Sequence, residues 1–565
     1  LMNVTERRRG FSLLRLLGST ARQVRQFVIR EAALLGAGGA IVGAGLGLAA
    51  AGPISAGISR ALQAPPGGLV VHPAVVPVSI LLGTLIAVAG AWWPAREATR
   101  VDPLEGLDAA PPPARGVPRG FLLVAVGLWA VAAVIMAFVL AEWLPPRAAV
   151  PAGIAMMLAF VATTPVLIPP LARAAALLVP ARFRIEGTLA LEQILRQPVR
   201  TALTTGVLVL AVSNGIGLGH AIRDNVDDVL GWYGRMMRAD WMLTHTGMVT
   251  AADEPEGSDP RAAEHELQAI PGVKRLEGIS VATGRVAGAA CVVVARDVPP
   301  DAPLPLQPVA ASAADLRAAL ARGEAAAGTV LARRTGIQPG DEIAVEVFGR
   351  TTKVKVAVLV VDYTSGGASL HLERSAAARL FGMTVADILL VTADPGRAAE
   401  LREPLAAIAD EHSLLLRSFA DVQSFIDRIV NGVVGSLWAI LGLGFVVGSL
   451  GVANTVTMNV LEKTRTLGLL RTVGMTRGQV TRMVVLESLL LGAAGALIGL
   501  VGGLATAVFI QLSSQPLLGH PIRPSFRPGV VAANLAAALA VTALAAWLPA
   551  RRTARLDLLE AISSE

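Results

Sequence analysis

The chain has 565 residues, a mean hydropathy of +0.60 and only 16% charged residues, which excludes a soluble globular protein of this size. Its net charge of +7 does not point to nucleic acid, because the arginines crowd the flanks of apolar runs, as in short cytoplasmic loops. The single cysteine, Cys291, excludes an intramolecular disulfide, and the seven histidines have no ligand-like spacing, so no metal site is expected.

Residues 1–101 read as a first module. It opens on "NVTERRRGFSLLRLLGSTARQ" from Asn3. Leu13, Leu14 and Leu17 gather on one side of a short helix, with Glu6, Arg9 and Arg15 around the rest. Gly18 supplies a left-handed stop without a Cβ clash, and Thr20 suits the N-cap of the next helix. That helix carries Val24, Phe27 and Val28 on one side and runs without proline into a span near 31–51, which Glu31 opens. A loop rich in Pro and Gly leads to a span back near 76–93, closing on "AWWPAREATRVDPLE" with Trp92 and Trp93 at the interface.

A proline-rich linker follows at 102–120, then a transmembrane hairpin at 121–173, with spans near 121–140 and 151–170. Prolines in "TTPVLIPP" (163–170) should kink or end the second of these. Residues 189–238 hold a basic lead and a span near 201–220. Residues 239–425 turn soluble in character and read as an α+β extracytoplasmic domain. There 341–361 alternates around Gly349-Arg350 as a two-stranded hairpin, and 312–325 and 395–413 read as amphipathic helices. Residues 426–565 form a second module, with spans near 431–455, 487–511 and 529–548. The fold class is a mainly α-helical polytopic membrane protein of about eight spans with one α+β domain. If the spans alternate, both chain ends and every basic segment face the cytoplasm.

The two modules are copies. "NVLEKTRTLGLLRTVGMTRGQ" from Asn459 repeats the opening stretch 456 positions later without a gap. About half of the positions from Met2 to Ala49 are identical in the pair. In the second copy Glu462, Arg465, Leu469, Leu470, Arg471, Gly474 and Thr476 take the places of Glu6, Arg9, Leu13, Leu14, Arg15, Gly18 and Thr20, and Glu487 opens the span. Each copy describes a short surface helix joined through a fixed bend to a membrane helix, so that a push on one displaces the other. The rival reading is an interfacial helix that only anchors the chain to lipid. Anchoring does not require two bends in matching register.

"NTVTMNVLEKTRTLGLLRTVGMTRGQVTRMVVLESLLLGAAGALIGLVGG" resembles the FtsX/MacB-type ABC transporter permease domain, and so does the first module from Leu1. The closing "PARRTARLDLLEAI" and "PAREATRVDPLEGL" also match the way such domains end. The resemblance implies a bacterial cytoplasmic (inner) membrane and a separate ABC-type ATP-binding subunit, acting as a dimer and supplying ATP and Mg. This chain would need no cofactor of its own. The resemblance also implies that the subunit docks on Glu6, Arg9, Leu13, Leu14, Arg15 and Gly18, and on Glu462, Arg465, Leu469, Leu470, Arg471 and Gly474. Motion would pass to an extracytoplasmic domain that handles a lipid, lipoprotein or peptide-like substrate, or a partner protein. A two-module permease of this type has ten spans and two such domains, so a chain that opens at Leu1 inside the motif is expected to be an N-terminally truncated fragment.

Other features are given plainer readings. Glu31 and Glu487 lie at the inner span ends, where a carboxylate is hydrated or paired with a nearby Arg more often than it relays protons. Trp92, Trp93 and Trp547 fit an aromatic belt. No G-x-x-x-x-G-K-[ST] occurs anywhere, nor any nucleophile-elbow spacing, so the chain is not expected to be an enzyme. Two alternatives stand beside the transporter subunit. One is an FtsX-like regulator of an extracytoplasmic enzyme that moves no substrate. The other, an ion-coupled carrier, lacks the mid-membrane charges it needs.

Overall fold

The computed structural model describes residues 13–62, 71–100, 119–196, 198–236, 238–245, 260–462, 471–472 and 474–554. The chain divides into two units, Leu1–Arg115 with Arg428–Ala439, and Gly116–Asp427 with Ile440–Glu565. Eight helices among the described residues are long and apolar enough to cross a membrane, the number expected from the sequence.

In the first unit α1 (Ala21–Leu62) packs on α2 (Val75–Arg100). Gly36 faces Ala87 and Gly83 faces Ala40, so the helices are antiparallel and their backbones nearly touch. Val24 and Val28 are buried with Ala95 at the far end of the same seam. Phe27 is 54% exposed and does not share their face. The Val24–Val28 step of four keeps those two aligned, and Phe27 falls about 100° away from Val28.

The second unit opens with α3 (Arg119–Leu140) and α4 (Ala149–Ala176), joined edge to face by Trp129 and Phe160 at 4.8 Å. Helix α4 runs through Pro165, Pro169 and Pro170 to Ala176, which corrects the expectation that these prolines could end the span. Pro165, Ile168 and Ala172 are buried against the bundle, and bundle neighbours of this kind hold a membrane helix together past proline. Next come α5 (Arg184–Arg196) and α6 (Pro198–Met236). Helix α6 extends well past the span end expected near residue 220.

The domain that follows is a ten-stranded mixed sheet with short helices. Its elements are β1 (Trp241–His245), α7 (Pro260–Ala269), β2 (Val273–Val286), β3 (Ala289–Arg296), β4 (Gln307–Val309), α8 (Ala313–Ala321), β5 (Ala325–Gly328), α9 (Thr329–Thr335), β6 (Glu342–Val347), β7 (Arg350–Val361), β8 (Ser369–Glu373), α10 (Arg374–Phe381), β9 (Ile388–Ala393), α11 (Arg402–Glu411) and β10 (Leu414–Ser418). The strand order is β10-β1-β9-β2-β3-β8-β5-β7-β4, with β6 against β2 and β7. The expected hairpin is β6–β7, turning at Phe348 (φ +49°) and Gly349 (φ +73°). Of the helix expected over 395–413 only Arg402–Glu411 forms, because the chain first turns through Gly396 at φ +83°. Ser312 caps α8 reciprocally with Asp315, and the helix gives way to β5 by Ala325.

The domain is rooted on two long helices. The first is α6, and the second is α12 (Phe419–Glu462), which begins directly after β10. Their adjoining strands β1 and β10 pair antiparallel, Trp241 opposite Ser418, and the Phe419 N–H donates to the Asp240 carbonyl at 2.9 Å. The fold closes with α13 (Arg477–Leu518) and α14 (Pro528–Ala554). Helices α13 and α1 are both 42 residues long and start at equivalent positions of the repeat.

Candidate functional site

The first elbow is built from two local motifs. The chain is helical at 13–16 and stops at Gly18, whose φ is +100°. The Ser19 N–H donates to the Leu14 carbonyl (3.0 Å) and the Gly18 N–H to the Arg15 carbonyl (3.1 Å), the paired bonds of a Schellman stop. A capping box follows at once: the Thr20 N–H donates to Gln23 Oε1 (2.8 Å) and the Gln23 N–H to Thr20 Oγ1 (3.3 Å). The second elbow repeats this. Gly474 sits at φ +110° with its N–H donating to the Arg471 carbonyl (3.1 Å). Thr476 and Gln479 exchange the same two bonds at 2.9 and 3.3 Å. Sequence reasoning reaches Thr20 and Thr476 but not Gln23 and Gln479, although T-x-x-Q carries the pattern.

The other end of α13 meets the extracytoplasmic domain. Its C-cap is Gly519 at φ +77°, where a Cβ would lie 2.4 Å from Thr329 Cβ, so only glycine fits. Thr329 Oγ1 donates to the Leu518 carbonyl at 2.8 Å. Beside it Asp228 on α6 accepts from the Tyr363 hydroxyl, and His520 Nε2 stands 3.0 Å from the same carboxylate oxygen. Burial, and then the Asp228 carboxylate, push the Tyr363 phenol up, so it stays a donor. One turn earlier Asp224 accepts from Gln511 Nε2 (2.5 Å) and from the Ser525 N–H (3.3 Å) and hydroxyl. Arg527 reaches Asp227, and its N–H donates to His220 Nε2 at 3.2 Å. Three separate stretches of chain are thus clasped together: the outer end of α6, the loop after α13, and the domain.

A second polar cluster lies inside the domain. Asp362 accepts from the Thr364 N–H (3.2 Å) and hydroxyl (2.9 Å), from the Ser369 hydroxyl, and from His371 Nε2 at 3.1 Å. These are the residue types of a hydrolase triad. Here, however, the Ser369 hydroxyl donates to the carboxylate, His371 Nε2 lies 3.1 Å from that same carboxylate and 3.2 Å from the serine oxygen, and all three residues are buried. The cluster is structural. Burial alone would raise the Asp362 carboxyl, but the bonds from His371 and Ser369 hold it below its ordinary 3.8. A carboxyl depressed on folding contributes stability above its unfolded pKa and loses it as pH falls through the folded value. Asp362→Asn should therefore cost about 1.5–3 kcal/mol at pH 7. Thermal unfolding followed against pH should show the gap from wild type closing below pH 3.8.

The expected site residues are distributed as follows. Leu13, Leu14 and Leu17 are all exposed on the first elbow, at 47%, 44% and 83%. Arg15, Gly18, Arg471 and Gly474 belong to the elbows. Glu6, Arg9, Arg465, Leu469 and Leu470 lie outside the described residues, as do the side chain of Glu462 and the linker at 102–118. Glu31 and Glu487 are half-buried in α1 and α13. Trp92 is exposed with Arg96 5.6 Å from its ring centroid, and Trp547 is 43% exposed. The Trp93 side chain lies outside the described residues. His220, Asp224, Asp227, Asp228, Tyr363 and His520 were not anticipated. The signal was present in part, since 220, 224, 227 and 228 share one face of a helix. Among the described residues one acid–histidine group, Glu266, Glu411 and His412, has its ligand atoms within 4.8 Å. A hydrogen bond between His412 Nε2 and the Glu266 carboxylate at 3.1 Å accounts for it.

Two capped elbows at the feet of membrane helices, with a sheet domain rooted on two further helices, are the architecture of a polytopic membrane protein with an extracytoplasmic domain. The sequence comparisons agree for the two terminal modules. The FtsX-like permease C-terminal family matches residues 1–103 and 438–558. The macrolide export ATP-binding/permease protein MacB of Azoarcus sp. (strain BH72) is 29% identical over 208 residues, 37% of this chain and 30% of that protein. The uncharacterized ABC transporter permease YknZ of Bacillus subtilis is 27% identical over 155 residues, 27% of this chain and 38% of that one. The periplasmic region of MacB from Actinobacillus actinomycetemcomitans superposes with a TM-score of 0.26 at 8% identity, covering 34% of this chain and 94% of that one. The chain spans about a third of the length of the curated relatives it matches. Its two terminal modules are matched by the FtsX-like permease family and are similar to ABC permeases of the MacB and YknZ type.

Proposed function

We propose that this chain is the transmembrane subunit of an ABC transporter and works as a mechanical transmitter. A dimer of ABC-type ATP-binding subunits, carrying ATP and Mg, docks from the cytoplasm on the elbow segments around 4–17 and 460–473. Both chain ends then lie in the cytoplasm. Closure of the dimer moves the elbows, tilts the helices rooted in them, and drives the domain to export or extract a lipid, lipoprotein or peptide-like molecule. One observation carries the reading. A single unbroken helix of 42 residues, about 63 Å long, has the second elbow at one end and the domain clasp at the other. A helix of that length moves as a rod.

The test is made with the chain and its ABC-type ATP-binding subunit, co-purified in nanodiscs. Spin labels are placed by Trp143→Cys and Phe348→Cys, both exposed positions. Cys291 stays silent because it is buried and its thiol is pushed up to about 11 by desolvation. The distance between the labels should change by several ångströms between the ATP-bound and nucleotide-free states. A distance distribution indifferent to nucleotide in a complex that hydrolyses ATP would remove the transmission idea.

A further inference from the structure

A cavity of about 190 Å³ lies inside the second unit, where the end of α6 meets the sheet. It is larger than the roughly 150 Å³ apolar cavity that holds a benzene ring. Ile279, Val294, Leu304 and Leu306 supply apolar wall, and Trp232 and Met236 supply the side nearest the bundle. Two polar lining groups are already committed, Thr364 and His371, both bonded to Asp362. Two others are not. Trp232 Nε1 and Arg296 Nε are buried and have no hydrogen-bond partner among the described residues.

Both orphans are donors only, and an unpartnered buried donor costs about 1–3 kcal/mol. Arg296 is 8% exposed, and its other nitrogens are occupied by the Met236 carbonyl (2.9 Å) and Glu277 (3.1 Å). Glu277 stands between Arg275 (2.8 Å) and Arg296 (3.1 Å) and so matches only one of the two guanidinium charges, with Asp297 the other anion acting on Arg296. A ligand that satisfies this cavity has an acceptor at its head, preferably anionic, and an apolar body behind it. The source proposed is the bilayer, because Trp232 and Met236 continue the helix whose apolar part is long enough to cross it.

We propose that this cavity binds an acyl-chain carboxylate, its head on Arg296 and Trp232 and its chain among the valines and leucines of the sheet. The site does not depend on the transmitter reading, since it lies within one unit and needs neither nucleotide nor partner. Trp232 also stacks edge-on against Tyr363 of the clasp at 5.7 Å, so an occupant would press on the joint between domain and bundle.

The test uses the full chain in nanodiscs at pH 7.4 without ATP. 8-Bromooctanoate is titrated while tryptophan emission is read, and octanol and octylammonium compete. Octanoate should displace the quencher at least about tenfold better than octanol, and octylammonium should not displace it. Val294→Phe, which fills the cavity, should abolish the saturable quench and leave only the part due to partition into lipid. Trp232→Phe should remove most of the quench and weaken octanoate about tenfold by competition. Equal competition by octanol, or a saturable quench that survives Val294→Phe, would overturn the site. Loss of binding would leave the nucleotide-dependent distance change untouched, so the two proposals fail separately.

Discussion

Replacing Gly474 by valine is expected to abolish the nucleotide-driven movement of the extracytoplasmic domain while membrane insertion and ATP hydrolysis by the complex continue. The reason is confined to the backbone. Gly474 has φ +110°, a region that L side chains rarely adopt, and a Cβ built there meets nothing within 4 Å. Among the described residues a Cβ at 474 therefore meets no neighbour, and the cost of valine there is that of the strained bend, about 1–3 kcal/mol. That lowers the equilibrium constant for the bent elbow by about fivefold to a little over a hundredfold. Gly18 has the same character in the first elbow, φ +100° with open space around it, so the double variant should behave no better than Gly474→Val alone. Gly474→Asn, which tolerates left-handed backbone, should restore part of the movement. A Gly474→Val complex whose label distances still switch with ATP would show that the bend transmits nothing.

On the transmitter reading, the clasp is what would make a stiff elbow matter at the far side. Thr329 and Tyr363 of the domain hold the loop after α13, while Asp228 and Asp224 hold α6 to that same loop. Displacement of α13 along its axis therefore loads the sheet at β5–α9 and at the end of β7. The strands next to the stalk helices, β1 and β10, lie at the opposite end of the strand order. A sheet fixed at one edge and pushed near the other rotates, whereas a domain hung only on α6 and α12 would swing loosely.

Local chemistry was legible in the sequence and chain-distant chemistry was not. The eight spans follow from runs of apolar residues, the β6–β7 hairpin from alternation around Gly349, and the elbows from a glycine and a threonine at fixed spacing. The outer end of α6 was hidden because Asp224, Asp227 and Asp228 break the hydropathy that marks a span. Their partners Gln511, Arg527 and His520 are some three hundred positions away, and nothing local announces them. Sheet order is invisible for the same reason: Trp241 pairs with Ser418 across the whole domain. The α4 prolines mislead in the other direction, since a local rule says break and the surrounding bundle overrides it. Gly396 shows that rule winning, because no bundle surrounds the exposed turn before α11.

Gly499→Leu should be the most destabilising single change in the bundle. Gly495, Gly499, Gly502 and Gly503 of α13 form a stripe that lets α6 approach until backbone meets side chain. A Cβ at Gly499 would stand 2.7 Å from Val212 Cβ and 3.2 Å from the Val209 carbonyl oxygen, and at Gly503 2.6 Å from Ile216 Cβ. The obstacle is main chain and β-carbon, which no rotamer can move, so the helices must part. Parting them breaks the bond from Ser213 Oγ to the Gly499 carbonyl (3.2 Å) and opens Val212 and Ile216, both fully buried. Overpacking of this kind costs about 3 kcal/mol, the upper end of the usual range. For a unit of this size that is a fall of several degrees in melting temperature, read by light scattering or size exclusion after heating in detergent. Gly442→Leu is the control, a helical glycine of α12 with nothing within 4 Å of its Cβ direction, and it should melt with the wild type. If Gly499→Leu melted with that control, the close crossing of α6 and α13 could not be what holds the bundle together, and the rod that carries motion to the domain would have to be sought in another helix pair.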